Sequence, residues 1–144
     1  MPDTGPDAPD PDRRLLLTFE AFRATHHREW MRYARLRAGN PVEAFKAVEA
    51  TCGHLAANWS LALEQPSVAA YAWAILKRHL AARSTAKLYA SVSQLPERQY
   101  DVIVLRYALG YKDKQVARLL GLRENTVRSL VRLATRRLTA DAPD

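Results

Sequence analysis

The sequence predicts an all-α protein with a helix-turn-helix in its last third. Apolar residues recur at helical spacing along the chain, strand signals are absent, and Gly and Pro separate the helical stretches. Between 95 and 138, a helix with a Pro start precedes a short helix, a glycine turn and a longer basic helix. This order of elements is typical of motifs whose last helix enters the major groove of DNA.

The first predicted helix runs from about Thr18 to Ala38, and Thr18 is its expected N-cap. Its buried stripe is Phe19, Phe22, His26, Trp30 and Tyr33. The sequence Gly39-Asn40-Pro41 ends it, since glycine suits a helix cap and proline cannot continue the helix.

Two further helices are expected before the motif. One runs from about Val42 to Asn58, the other from about Ser67 to Ala82, with a break between Leu63 and Pro66. The residues expected to point inward are Phe45, Val48, Cys52, Leu55, Trp59, Val68, Tyr71, Ile75 and Leu76. The single cysteine, Cys52, is expected to be a small buried apolar residue in a reducing cytoplasm.

The turn of the motif is defined by steric requirements at fixed positions. Ala117 leaves room for a second helix to cross closely, and Gly121 can adopt the left-handed conformation that ends a helix. The residues expected to lie between the two helices are Val116, Ala117, Leu120, Leu122, Val127 and Leu130. The sequence therefore predicts that the helix from Glu124 to Leu138 is the recognition helix.

That helix has one apolar and one polar arc at 100° per residue. The arc expected to be buried is Val127, Leu130, Val131, Ala134 and Leu138. Arginine, asparagine and serine side chains can bind base edges, and the base-reading candidates are Arg123, Asn125, Arg128, Ser129 and Arg132. The candidates for DNA phosphates are Lys112, Lys114, Arg118, Arg136 and Arg137.

Charge and composition are consistent with a polyanionic partner. The chain has 144 residues, 48% apolar content and a net charge of +7. Its first twelve residues contain four Asp and no basic residue. We expect a disordered acidic tail over 1–14, helical domains over 15–83 and 95–139, a short linker over 84–94, and a disordered tail over 140–144. A connector this short favours domains that pack together.

Several functional classes are not supported by the sequence. It has no secretory signal and no apolar run long enough for a membrane span, so a cytoplasmic location is expected. The four histidines lack partners at metal-ligand spacing, so neither a metal nor a cofactor is expected. Because no phosphate-binding loop, nucleophile elbow or acidic pair is found, we expect neither enzymatic activity nor a small-molecule substrate.

The last third resembles region 4 of extracytoplasmic-function (ECF) sigma factors, which are promoter-reading subunits of bacterial RNA polymerase. The matching residues are Leu95-Pro96-Glu97-Arg98-Gln99, Val104-Leu105-Arg106-Tyr107, Gly110, Val116-Ala117, Leu119-Leu120-Gly121, Thr126-Val127, Ser129 and Arg136-Arg137-Leu138. The resemblance implies promoter DNA as a partner, together with core RNA polymerase and an anti-sigma factor.

The stretches at 19–41 and 67–83 are similar, more weakly, to region 2 of the same family. That similarity implies that Trp73 stacks on unpaired bases and that Lys77, Arg78 and Arg83 hold phosphate, whereas Tyr71 is expected in the core. It also implies that Glu43 and Glu49 dock on polymerase. Phe45, Lys46 and Ala50 stand where the family usually has carboxylates, and this change weakens the expected pairing with a basic partner.

The expected function is that of a DNA-binding transcription factor that directs or regulates initiation in the manner of an ECF sigma factor. One alternative is a stand-alone helix-turn-helix regulator that does not bind core polymerase. Another is an interaction partner of sigma or anti-sigma factors, which Leu133 on the polar arc mildly favours.

Overall fold

A computed structural model describes residues 11–83 and 95–140. The N-terminal part, 11–83, contains helices α1 (Pro11–Ala38), α2 (Pro41–Ala57), α3 (Trp59–Leu63) and α4 (Val68–Ala81). The C-terminal part, 95–140, contains α5 (Glu97–Ile103), a π-helix (Val104–Ala108), α6 (Asp113–Leu120) and α7 (Glu124–Ala140). These described residues contain no strand, so the fold is all-α as predicted. The predicted linker over 84–94 lies outside the described residues, and so do 1–10 and 141–144 of the predicted tails.

An aromatic row along α1 forms the core of the N-terminal part. Trp30 and Tyr33 are fully buried. His26 stacks on Trp30, with ring centroids 5.7 Å apart. Phe19 meets Trp59 edge to face at 5.4 Å, which joins α1 to α3. The stripe predicted for the first helix is therefore the face that packs inward, with Phe22 partly buried at its edge.

The start of α1 differs from the prediction. The helix begins at Pro11 and not at Thr18, so residues 11–14 belong to a helix and not to a disordered tail. Thr18 is not an N-cap, because its hydroxyl donates to the carbonyl of Leu15 one turn earlier, at 2.9 Å. The same oxygen accepts a 2.8 Å hydrogen bond from the indole of Trp59, and this bond fixes α3 against α1.

The caps of α2 and α4 follow from their sequences. The side chain of Asn40 accepts hydrogen bonds from the backbone of Val42 and Glu43, at 2.8 and 3.3 Å. The hydroxyl of Ser67 accepts from the backbone nitrogen of Ala70 at 3.1 Å. Each oxygen satisfies donors that the first turn of a helix leaves free.

One inward residue of α2 was predicted wrongly. Val48, Cys52, Leu55 and Trp59 are buried, but the side chain of Phe45 is 54% exposed. The small residues Ala44 and Ala47 occupy the contact with the neighbouring helices instead, and both are fully buried. Phe45 is therefore turned to the outer face of α2 beside Lys46. On α4, Ile75 and Leu76 are buried as predicted, while Val68 and Tyr71 are partly buried.

The N-terminal and C-terminal parts pack against each other. The guanidinium of Arg32 on α1 donates to the hydroxyl of Tyr111 and to the carbonyl of Leu109, at 3.0 and 3.3 Å. A Cβ placed on Gly121 would collide with the hydroxyl of Ser67 and lie 2.7 Å from the backbone nitrogen of Ala70. The glycine turn thus touches the start of α4. Whether the two parts are separate domains stays a prediction.

None of the helices over 11–83 and 95–140 combines the length and apolar character needed to cross a membrane.

Candidate nucleic-acid interface

Helices α6 and α7 form the predicted helix-turn-helix. Gly121 ends α6 in the left-handed conformation, with φ 71° and ψ 34°, and its backbone nitrogen donates to the carbonyl of Ala117. The backbone nitrogen of Leu122 donates to the same carbonyl at 2.9 Å, which closes the turn. Such a conformation is accessible to glycine at low cost, so this residue sets the angle at which α7 leaves α6.

The apolar arc of α7 faces the rest of the C-terminal part. Val127 and Ala134 are fully buried, and Leu130, Val131 and Leu138 are partly buried against the core. Val116 on α6 and Leu105 in the π-helix are also fully buried. This packing fixes the rotation of α7 about its axis and directs its polar arc outward. The helix extends to Ala140, two residues beyond the predicted end.

Every base-reading candidate is exposed in the structure. They are Arg123, Asn125, Arg128, Ser129 and Arg132. Arg123 precedes α7, and the other four lie within its first three turns. They form one polar surface at the N-terminal end of the helix, which is the end that contacts base edges in helix-turn-helix proteins. We call these five residues the recognition surface.

Arg128 occupies the middle of the recognition surface. One guanidinium nitrogen lies 3.2 Å from the carboxylate of Glu124, and another contacts the side-chain oxygen of Asn125. Both partners are exposed side chains on the same helix. An exposed pair of this kind contributes little to stability and can exchange for contacts with a guanine edge. The arrangement orients the guanidinium in the absence of a ligand.

A groove beside the recognition surface adds a cation that sequence reasoning did not select. It is lined by Arg106, Asp113, Arg128, Val131 and Arg132. Arg106 lies 2.8 Å from the carboxylate of Asp113 and donates to the carbonyl of Tyr111, also at 2.8 Å. It therefore fixes the start of α6 to the π-helix. The sequence shows that Arg106 belongs to the motif, but it does not show that Arg106 lies beside the residues of α7 that line this groove.

The phosphate candidates lie on the surface of the C-terminal part. All five candidates are exposed, namely Lys112, Lys114, Arg118, Arg136 and Arg137. The backbone nitrogen of Lys112 donates to the side chain of Gln115 at 3.0 Å and so begins α6. The first three are on or next to α6, and the last two are in the final turns of α7. Exposed cations thus lie on or next to both helices of the motif, and such side chains can contact a DNA backbone.

Two of the region 2 candidates are placed differently from the prediction. The side chain of Trp73 is 7% exposed, and its indole nitrogen donates to the carboxylate of Asp101 at 3.1 Å. The amino group of Lys77 lies 2.8 Å from the same carboxylate, and its side chain is 16% exposed. Base stacking by Trp73 and phosphate binding by Lys77 are therefore not possible in this arrangement, because α5 covers both side chains.

Asp101 is the centre of a polar cluster between the two parts. We call Tyr33, Arg37, Trp73, Lys77, Glu97 and Asp101 the Asp101 cluster. Its donors all belong to the N-terminal part and its two carboxylates to α5. Tyr33 donates to Asp101 at 2.6 Å, and Arg37 donates to the hydroxyl of Tyr33 at 2.9 Å. Arg37 also pairs with Glu97 at 3.2 Å, and Lys77 contacts Glu97.

Burial and neighbouring charges shift the pKa values of Tyr33 and Glu97 in this cluster. Burial raises the pKa of the Tyr33 hydroxyl well above its ordinary value, and the Asp101 carboxylate adds to the increase. Partial burial alone would raise the pKa of Glu97, but the hydrogen bonds and charges of Lys77 and Arg37 outweigh it and lower that pKa. At neutral pH the Tyr33 hydroxyl therefore keeps its proton, which it donates to the side chain of Asp101.

The remaining candidates of the N-terminal part lie at its surface. Arg78 is exposed on α4. Arg83 lies 3.6 Å from Glu43, which also pairs with Lys46 at 3.5 Å. Glu49 pairs with Arg23 at 3.4 Å, and the imidazole of His27 lies 3.9 Å from the Glu49 carboxylate. Both polymerase-docking candidates thus have cationic neighbours within the chain.

The Asp101 cluster was missed at the sequence level. The available signal was a carboxylate within the apolar run Tyr100-Asp101-Val102-Ile103-Val104, on a face that had to be buried. A charge at such a position requires a partner. The partners are 24 and 68 positions away, at Lys77 and Tyr33, and no local pattern indicates them.

No group of three or more His, Cys, Asp or Glu side chains within 11–83 and 95–140 is arranged to hold a metal ion.

These features define an all-α protein with a helix-turn-helix whose polar recognition surface is exposed. Residues 85–138 match the family model of sigma-70, region 4. This match covers α5, the π-helix, α6 and most of α7, and so includes the helix-turn-helix.

No curated protein matches the chain. Among solved structures, a chain of an RsbN–BldN complex is similar to this chain with 23% identity and a TM-score of 0.43, over 91% of this chain and 99% of the other.

Proposed function

We propose that this protein acts as a sigma factor of the ECF type, which places bacterial RNA polymerase at promoters by reading duplex DNA with α7. The chain positions other molecules, and in this proposal it makes and breaks no covalent bond. Its site of action is the bacterial cytoplasm. The partners are promoter DNA and core polymerase, and an anti-sigma factor is the regulatory partner that the family resemblance implies.

The observation that carries this proposal is the exposed recognition surface on α7 within a sigma-70 region 4. The five side chains of this surface are exposed, while the opposite arc of the helix is packed against the core. Arginine and asparagine can each make two hydrogen bonds with a purine edge. The exposed cations on α6 and at the end of α7 would hold the flanking phosphates.

The experiment is a selection from a random duplex library by the complete chain mixed with core bacterial RNA polymerase. We expect a single enriched sequence motif. Arg128→Ala should lose preference at one or two positions, because it removes a side chain that can reach a base edge. Arg136→Ala is the matched control, and it should weaken all duplexes alike. An enriched motif that is unchanged by Arg128→Ala would contradict the assignment of the recognition surface.

A stand-alone regulator is the second candidate, and the ion pairs of α2 favour it. Glu43 is paired with Lys46 and Arg83, and Glu49 with Arg23. Carboxylates that are already paired within the chain offer less attraction to a basic surface of polymerase. A stand-alone regulator would select the same duplex with or without core polymerase, whereas a sigma factor would need core polymerase for enrichment.

A further inference from the structure

Three arginines lie on one side of α1, next to the segment that leads into α6. Arg28, Arg32 and Arg35 have the spacing i, i+4 and i+7, which brings side chains to the same side of a helix. The middle guanidinium donates to the hydroxyl of Tyr111 and the carbonyl of Leu109, at 3.0 and 3.3 Å. It also lies over the Tyr111 ring, 5.0 Å from the centroid. Arg32 therefore attaches this side of α1 to the C-terminal part.

The other two arginines, which we call the α1 arginine pair, are exposed. Neither Arg28 nor Arg35 makes a hydrogen bond or an ion pair with another residue in the described part of the chain. They are seven positions apart, and a helix of that length rises by about 10 Å. The pair thus presents two cations, at a spacing fixed by α1, to an external anion.

A small polar cavity shows that α1 and α6 lie side by side. It is lined by Thr25, His26 and Glu29 of α1 and by Gln115, Arg118 and Leu119 of α6. Together with the contact between Arg32 and Tyr111, the cavity shows that α1 passes α6 in the antiparallel direction. Arg28 lies between these two contacts along α1, so it is beside the middle of α6.

The α1 arginine pair lies on the same side of the molecule as the polar side of α6. At 100° per residue, Trp30 and Tyr33 are on the opposite side of α1 from the pair, and both are buried in the N-terminal core. On α6, Leu119 and Leu120 are buried, and Gly121 directly after them contacts the start of α4. Both helices direct their apolar sides toward the N-terminal core, so their polar sides are adjacent at the surface.

The carboxylates of this surface do not balance its cations. The exposed cations are Arg28, Arg35, Lys112, Lys114 and Arg118. The stretches 25–35 and 112–118 contain two carboxylates, Glu29 and Asp113. Asp113 is paired with Arg106 at 2.8 Å, and one oxygen of Glu29 is buried. The surface therefore has an excess of positive charge, which attracts a polyanion.

We propose that the α1 arginine pair binds phosphates of the same DNA duplex that α7 reads, so that the N-terminal part extends the contact beyond the helix-turn-helix. In such motifs the first helix crosses the DNA backbone, which places cations beside α6 next to the backbone that flanks the groove. Phosphates of one strand follow each other at about 3.4 Å along the duplex axis, so the pair spans about three of these steps. The pair is continuous with the phosphate candidates of α6.

The inference rests on the proposed function in taking duplex DNA as the ligand, but the contact is measured with the chain alone and without a selected sequence. Motif selection that depends on Arg128, with no effect of the α1 arginine pair on duplex binding, would contradict the contact by α1 alone. An effect of the pair on duplex binding, without selection of any motif, would contradict the proposed function alone.

The test measures binding of this chain, by anisotropy at several salt concentrations, to a fluorescent duplex of mixed sequence about two helical turns long. Arg28→Gln combined with Arg35→Gln should weaken binding about tenfold and lower the slope of log K against log salt by about two, because two phosphate contacts are lost. Arg13→Gln combined with Arg14→Gln is the matched control. It makes the same charge change at exposed arginines at the start of α1 and should leave the slope unchanged.

Two additional measurements separate a phosphate contact from a structural effect. Arg28→Lys combined with Arg35→Lys should restore most of the lost binding, because a phosphate also binds a lysine ammonium as a point charge. On the duplex that α7 selects, protection from hydroxyl radicals should extend farther on one side of the motif than on the other, because α1 lies on one side of α6. The glutamine double variant should lose this extension and keep the protection of the motif itself.

The opposite results would overturn the proposal. Equal slopes in the glutamine double variant and the Arg13, Arg14 control would mean that only the overall charge acts. A footprint of unchanged length would mean that α1 does not reach the duplex. Unchanged duplex binding combined with weaker binding of poly-glutamate would assign this surface to an acidic protein instead. Circular dichroism checks that each variant is folded, as we expect for exposed side chains without hydrogen bonds in the described part of the chain.

Discussion

The hydroxyl of Tyr33 donates a 2.6 Å hydrogen bond to the carboxylate of Asp101, although the two residues are 68 positions apart in the sequence. Tyr33 is on α1 and Asp101 on α5, so the bond joins the N-terminal part to the C-terminal part of the chain. Both side chains are buried, and Arg37 donates to the same hydroxyl. The contact is therefore a charge-assisted bond at the centre of the interface between the two parts.

Replacement of Tyr33 by Phe removes this hydroxyl and should lower the free energy of unfolding by about 2 kcal/mol. The loss arises because the buried Asp101 carboxylate loses a donor and Arg37 loses an acceptor. Tyr107→Phe is the matched control, since that ring is 63% exposed, and it should change the free energy by less than about 0.5 kcal/mol. Urea unfolding followed by circular dichroism measures both. Equal effects of the two variants would contradict the role assigned to the bond.

Two glycines with nearly the same positive φ provide a test of the contact between the turn and α4. Gly110 and Gly121 have φ of 74° and 71°, but a Cβ on Gly110 would meet nothing within 4 Å. Gly110→Ala should therefore cost about 1–2 kcal/mol, for the left-handed conformation alone. Gly121→Ala should cost about 3 kcal/mol or more, since its Cβ would also meet the backbone of Ala70. Thermal unfolding distinguishes these values, and equal costs would show that the turn does not press on α4.

Arg128→Ala should reduce discrimination between the preferred duplex and its variants by about 1–3 kcal/mol at one or two base pairs. Arg136→Ala should leave discrimination unchanged and lower the salt dependence of binding by about one released counterion. Titrations of matched and mismatched duplexes at several salt concentrations, in the presence of core polymerase, measure both effects. Loss of discrimination in Arg136→Ala, with none in Arg128→Ala, would reverse the assignment of the two side chains.

Protonation of His26 should destabilise the fold as the pH falls. Burial lowers the pKa of this imidazole from its ordinary 6.5; the charge of Glu29 on α1 raises it, and that of Arg118 on α6 lowers it. The unfolded chain therefore takes up the proton first, and stability decreases as the pH falls below about 6.5 toward the folded pKa. His26→Gln should flatten this part of the curve of unfolding free energy against pH.

Protonation of a second histidine, His79, should also destabilise the fold as the pH falls, and this provides a check. Partial burial lowers the pKa of His79, and the charge of Arg83 adds to that effect. The double variant His26→Gln, His79→Gln should therefore be less pH-dependent than either single variant. A curve between pH 7 and pH 5 that is identical in wild type and double variant would contradict the account of both residues.

The features that could be predicted from the sequence are those set by neighbouring residues. The left-handed turn at Gly121 and the buried arc through Val127 and Ala134 follow from local sterics and helical periodicity. The end of the first helix before Pro41 follows in the same way, because proline lacks a backbone donor. The fold class was accordingly predicted correctly, and the five side chains of the recognition surface are exposed, while their role in reading bases stays a prediction.

The features that could not be predicted depend on contacts between distant segments. Thr18 was assigned to a helix start on local preference, whereas in the structure it lies within α1 and accepts a bond from Trp59. Phe45 has helical spacing with Val48 and Cys52, but the small Ala44 and Ala47 take the packing position. Trp73 and Lys77 are covered because Asp101 on α5 contacts both side chains. The sequence around Trp73 and Lys77 does not show that α5 packs over α4.

The most direct test of the central claim is co-elution of this chain with core bacterial RNA polymerase on a sizing column at moderate salt. The account predicts that the two elute together and that Lys46→Glu, which restores a carboxylate on α2, increases the bound fraction. Glu64→Gln is the control and should leave the bound fraction unchanged. A protein that is folded by circular dichroism, binds its selected duplex and elutes apart from polymerase would contradict the claim and identify a stand-alone regulator.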